Sequence, residues 1–186
     1  MDAIKRQAAY TLVELVTTVG ILAIISSMAY QGWGAWAESN RHRTILEQYN
    51  TLFSYARWTA ASTHSLVTLC PLSGEGKCID DWKLPVSVFR DTNNDKKPDG
   101  GEILQQLTPV KRPYSIRSRT AGRGYFQFNE RGFAYGALGS LVLCPTAQSK
   151  GIMSYMAINM AGRFRVQSDE DGDRSIKLSW GTIINC

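Results

Sequence analysis

The chain has 186 residues, enough for one domain of ordinary size plus an anchor. Hydrophobic residues make up 44% and charged residues 20%, which excludes a chain too polar to build a core. The net charge of +5 permits a polyanion or an anionic membrane as partner without demanding one.

The opening "MDAIKRQAA" is short and carries Lys5 and Arg6. Residues Tyr10 to Tyr30 follow as a mostly apolar run, broken by Thr, Ser and one charge, Glu14. A membrane span needs roughly 20 such residues, so the run reads as one, with the basic flank kept cytoplasmic. The small residues Ala8 and Ala9 precede the apolar run, the wrong order for ordinary signal-peptide cleavage. An ionised carboxylate in hydrocarbon is costly, which makes Glu14 a functional suspect; the bland alternative is a carboxylate at the headgroup boundary near the helix start.

Helical periodicity continues beyond the apolar run. Ile45, Tyr49, Leu52 and Ala56 recur as a stripe, with Leu46 and Phe53 beside them, and no proline occurs before residue 71. One helix from about Tyr10 to about Ser62 is predicted, apolar all round first and amphipathic afterwards. Gly32 and Gly34 in "QGWGAW" mark its weak point. His42 lies between Arg41 and Arg43, in what reads as a solvated or headgroup-facing cluster.

After His64 the pattern shortens. "SLVTLC", "VSVFRD", "EILQQL", "YFQFNE", "GSLVLC", "AINM", "RFRVQS" and "SIKLSW" read as strands separated by turn residues. The predicted class is α+β, one long N-terminal helix whose second half packs on antiparallel sheet. Cys70, Cys78, Cys144 and Cys186 all lie beyond the span, and an even number on an exported side suggests two disulfides. Four cysteines allow three pairings; Cys70–Cys78 closing "PLSGEGK" and Cys144–Cys186 pinning the C-terminus are favoured over free buried thiols.

The stretch Asp91 to Glu102, "DTNNDKKPDGGE", places oxygen side chains at the spacing of a calcium loop. The sharp turn there needs Gly and has Lys96, so a hairpin loop is the expected reading and no metal is assigned. A basic run follows: Lys111, Arg112, Arg117, Arg119, Arg123 and Arg131 against Glu130, interleaved with Tyr114, Tyr125 and Phe126. It is either an electrostatic footprint for nucleic acid or a solvated face. His42 and His64 are the sole histidines, and no phosphate loop, nucleophile motif or metal-ligand spacing occurs, so neither an enzyme nor a cofactor is predicted.

"AYTLVEL" resembles the type IV pilin class III signal, cut by prepilin peptidase before a Phe-Thr-Leu-x-Glu run. On that resemblance Ala9 precedes the cut, Tyr10 becomes the N-terminus that is then methylated, and Glu14 becomes an assembly residue. The family usually has Gly and Phe at the cut where Ala9 and Tyr10 stand, so slower cleavage is expected; major pilins also often have Pro where Gln31 stands. The run from Leu66 to Leu107 and the later "GSLVLC" resemble the GspH/FimT group of minor pilins and type II secretion pseudopilins. The resemblance implies a leader over residues 1–9, a filament-core half-helix over 10–38 and an exported domain over 39–186. It implies a subunit held in the inner membrane until extracted into a periplasmic or extracellular filament with other pilins. Glu14 would then pair with the freed amine of a neighbouring subunit, because an unpaired buried charge penalises wrong register.

Gly162-Arg163-Phe164-Arg165 resembles the Gly-Arg-x-Arg motif that FimT-type minor pilins use to bind DNA in natural transformation. In an extended strand Arg163 and Arg165 share a face and can fork onto phosphates, Gly162 leaves room for the backbone, and Phe164 faces the core. The implied partner is extracellular double-stranded DNA, bound without sequence preference. An ordinary exposed basic strand in a purely structural pilin or secretion pseudopilin is the alternative, and Asp169, Glu170, Asp171 and Asp173 would repel phosphate unless the turn carries them away.

Overall fold

The computed structural model describes residues 11–136, 138–149 and 151–186, with the side chains of 28–32 and 35 left aside. Ala9 and Tyr10 lie outside the described residues. The chain divides into two compact units, Met1–Glu38 and Ser39–Cys186.

Helix α1 runs unbroken over Leu12–Thr63, through Gly32 and Gly34. In the first unit its apolar side chains, from Leu12 through Ile25, are all exposed. Its hydroxyls turn inward on the backbone: Thr17, Thr18 and Ser27 donate to the carbonyls of Val13, Leu15 and Ile24 at 3.0, 2.9 and 2.8 Å. Among the described residues no helix is long and apolar enough to cross a membrane. The span read from Tyr10 to Tyr30 lies partly outside the described residues.

In the second unit α1 buries Ile45, Tyr49, Leu52, Phe53, Ala56 and Ala60 along one stripe. The stripe begins earlier than the sequence suggests. His42 is buried, its Nε2 2.8 Å from the Ser154 hydroxyl, so the solvated-cluster reading of this residue is corrected: it lies one turn up the same face. The helix closes without glycine. His64 takes a left-handed conformation and the Ser65 N–H reaches back to the Ala60 carbonyl, 3.2 Å.

Two antiparallel sheets pack with α1. The first has five strands in the order β3-β2-β1-β5-β6: β1 Val67–Pro71, β2 Val86–Arg90, β3 Gln105–Leu107, β5 Phe126–Phe128 and β6 Ala134–Tyr135. The second runs β4-β7-β8-β9: β4 Tyr114–Arg119, β7 Ser140–Pro145, β8 Ser154–Ile158 and β9 Phe164–Ser168. A separate hairpin joins β10 Ser175–Lys177 to β11 Ile183–Asn185. The α+β class stands.

Strand β7 is buried at every residue because both its faces are covered. Leu141 and Leu143 join the main core with α1, Phe126 and Phe128. Val142 and Cys144 join a second core with Met153, Ile176, Leu178 and Ile184, under the β10–β11 hairpin. Phe53 is the hub of the first core, its ring 5.0 Å from Phe126 and 5.4 Å from Phe164. Disulfides join Cys70 to Cys78 and Cys144 to Cys186, the latter holding the terminal hairpin against β7.

Candidate functional site

Two turns of like construction meet beside the last turns of α1. In "NMAGR", Asn159 accepts the Gly162 N–H on its carbonyl (2.8 Å) and the Arg163 N–H on Oδ1 (2.9 Å), while its own N–H donates to the Arg163 carbonyl (3.1 Å). In "NERGF", Asn129 does the same with Gly132 and Phe133, at 2.8, 3.0 and 3.0 Å. Gly132 and Gly162 both take positive φ, +72° and +71°, as such hairpin turns require. The turns are joined by the Ala134 N–H to the Met160 carbonyl, 3.0 Å, and Arg57 Nε donates to the Gly132 carbonyl, 3.1 Å.

Gly162 therefore has a packing reason to be glycine. A Cβ there would overlap the Gly132 carbonyl oxygen and press on Arg57 and Phe128. The repeated Asn-x-x-Gly spacing at 129 and 159 is the sequence signal that could have paired these turns.

Between them and α1 lies a concavity of about 550 Å³, lined by Phe53, Arg57, Trp58, Arg131, Arg163 and Phe164 among others, with no carboxylate in its wall. Arg163 lines it; Arg165 does not. Phe164 is half-buried on Phe53, while Arg163 and Arg165 flank it exposed. Trp58, which no motif singled out, is 65% exposed on α1.

The sheet register brings further arginines to the same end. Arg119 pairs with Ser140, Ser140 with Ala157, and Ala157 with Arg165, so the two arginines stand in one row on one face. Three strand spacings separate them, about 14 Å. Arg117 occupies the next row with Val142, Tyr155 and Gln167, and is exposed. Arg123 sits in the turn after β4, its N–H on the Thr120 carbonyl at 3.2 Å. Asp80, under that turn, accepts from Trp82 Nε1 at 2.9 Å and from the Ser118 hydroxyl. Lys111 and Arg112 are exposed at the opposite end of β4, where Arg41 donates to the Arg112 carbonyl at 3.4 Å. The basic run is thus divided: Arg119 and Arg123 lie with Arg163 and Arg165, and Lys111 and Arg112 do not.

The acidic loop is carried away from this end. Strand β9 separates it from Arg163 by about 17 Å of extended chain, and Asp169 N–H bonds the Met153 carbonyl at the far end of β8 (3.0 Å). Asp169 is buried, which pushes its carboxyl pKa up. The N–H groups of Arg174 and Gly172, each at 2.8 Å, outweigh that and hold it below the usual carboxylate value. Asp171 and Asp173 are exposed beside it.

The Asp91 loop is organised by the protein's own donors. Asp91 is fully buried; Oδ1 accepts the N–H groups of Asp95 (2.8 Å) and Lys96 (3.2 Å), and Oδ2 accepts from Thr68 (2.7 Å) and Gln127 (3.1 Å). Lys96 Nζ takes the carbonyl and side-chain oxygens of Asn94, both at 2.6 Å.

At the other end of the chain, Glu14 lies in the first turn of α1 and its N–H donates to Thr11 Oγ1 at 3.3 Å. Thr11 and Glu14 have the spacing of a helix-capping pair, and a carboxylate there suits the helix dipole. That local role needs no neighbour and was legible in "TLVE".

Comparison with known proteins agrees with this architecture. A family model described as type II transport protein GspH matches residues 46–182, and one for a prokaryotic N-terminal methylation motif matches residues 4–30. Two crystal forms of the type IV minor pilin FimU of Pseudomonas aeruginosa share the fold. One has a TM-score of 0.54 at 17% identity, over 73% of this chain and 97% of that one. The other has a TM-score of 0.50 at 16% identity, over 69% and 97%. No curated protein matches the sequence. With the GspH model covering most of the residues that form both sheets, behind a methylation motif, the chain belongs to the GspH family of pilin-like subunits.

Proposed function

We propose that this subunit, besides building a filament, binds extracellular double-stranded DNA without sequence preference, as a minor pilin serving natural transformation. The membership itself implies a non-enzymatic, pilin-like subunit, processed as a prepilin, anchored in the inner membrane and then assembled with other pilins. The DNA reading rests on one observation. Arg119, Arg123, Arg163 and Arg165 gather at one end of the four-stranded sheet with no carboxylate ion pair among the described residues, while the acidic loop is held at the other end. Charge of this kind contacts phosphates and carries no sequence information.

Ala9 and Tyr10 are the processing positions in this reading, and Glu14 is the register charge in the filament. Titrating the full chain, in a neutral detergent, with labelled duplex DNA at two salt concentrations tests it. The expected result is binding that weakens steeply with salt and falls at least tenfold in Arg163→Ala plus Arg165→Ala. No binding at low salt contradicts it; binding that survives the double substitution moves the contacts to Arg117, Arg119 and Arg123.

A purely structural subunit, in a pilus or in a type II secretion filament, is the second reading. The packing requirement at Gly162 favours it, because that glycine is explained without a ligand.

A further inference from the structure

We infer that the concavity beside Trp58 is a nucleobase site, which takes an unstacked base of a single-stranded nucleic acid and holds its phosphates with Arg57, Arg131 and Arg163. The inference rests on the nucleic-acid reading above and adds to it a site, an aromatic residue and a strand preference.

Three features carry it. The wall of the concavity holds three guanidinium-bearing residues and no carboxylate, and none of the three forms an ion pair among the described residues. Trp58 stands at its rim with 65% of its surface exposed; its ring is 6.3 Å from Tyr55 and 35° off parallel, the one ring neighbour among the described residues. An indole left in water beside uncompensated positive charge suits a ligand that is both flat and anionic. The volume, about 550 Å³, also lies in the range of a small-molecule pocket, ample for one nucleotide.

The site is also built rather than draped. Arg57 is tethered through Nε to the Gly132 carbonyl, which leaves its terminal nitrogens for an anion. Arg131 and Arg163 project from turns that are locked by Asn129 and Asn159 and joined to each other. A duplex keeps its bases stacked and offers such a site phosphates alone. A single strand or a frayed end offers a base face to the indole as well.

The test compares a labelled oligothymidylate, an abasic strand of equal length and a blunt duplex, each against the full chain in neutral detergent. The thymidylate is expected to bind more tightly than the abasic strand. Trp58→Ala should lower thymidylate affinity about tenfold, the scale of one base stacked on an aromatic side chain, and leave duplex and abasic affinities within about twofold. Trp58→Tyr should retain most thymidylate binding, and Arg131→Ala should weaken both single strands. Equal affinity of wild type and Trp58→Ala for thymidylate overturns the base site and leaves the duplex reading standing. Absence of binding to every probe overturns both. Loss of filament incorporation in Trp58→Ala with thymidylate binding unchanged would assign the indole to a neighbouring subunit instead.

Discussion

Gly162 shows how a motif residue can owe its identity to packing. Its left-handed backbone and the Gly132 carbonyl beside it leave no room for a methyl group. Gly162→Ala is expected to cost about 2 kcal/mol or more, combining left-handed strain with displacement of the neighbouring turn. A chemical denaturation midpoint measures it, and an unchanged midpoint would contradict the packing account. Tyr49 points the other way. It is buried on α1, its hydroxyl has no partner among the described residues, and burial pushes its pKa well up. Tyr49→Phe should therefore stabilise by about 1 kcal/mol, seen as a rise in Tm, because it removes an unpaid desolvation cost. Neither effect is legible in the sequence. "AGRF" does not reveal what backs the glycine, and the spacing that identifies Tyr49 as core says nothing about its hydroxyl.

At the scale of elements, the decisive feature is strand β9 and what it separates. Exposed Arg163 precedes it, exposed Arg165 is its second residue, and its end delivers the chain to Asp169. The folded Asp169 carboxyl titrates below its unfolded value, so its contribution to stability is present above about pH 4 and is lost as pH falls through the lowered folded pKa. The amide resonances of Gly172 and Arg174 should follow that titration together, with a midpoint below about 3.9; a midpoint at or above it would contradict the capping geometry. The strand pattern was readable because most strands alternate or run fully apolar. Strands β4, β6 and β11 were not among the predicted strands: β4 sits in what read as a basic run, and β6, two residues long, and β11 have too little length to show a period. His42 was misplaced because its arginine neighbours suggested water, whereas the helical phase of Ile45 and Tyr49 decides its burial.

For the whole molecule, one chain carries a filament anchor in its first unit and a basic surface in its second. Glu14→Ala should leave membrane insertion intact and reduce incorporation into filaments; normal incorporation in an assembly assay would remove its register role and leave the helix cap at Thr11. The sequence by itself determined the long helix, the α+β class, the prepilin-like opening and the subunit family. Those rest on local periodicity and on short contiguous motifs, which chain order preserves. Tertiary structure decided which arginines stand together. Arg119 and Arg165 are far apart in sequence and become one row through two intervening strands, while Lys111, close to Arg119 in sequence, is sent to the opposite end of the same strand. Trp58, Arg131 and Arg163 meet through two zipped turns that no local pattern connects. The physical reason is sheet register: pairing between strands fixes long-range neighbours through backbone hydrogen bonds, and the sequence spacing of the paired residues plays no part in it.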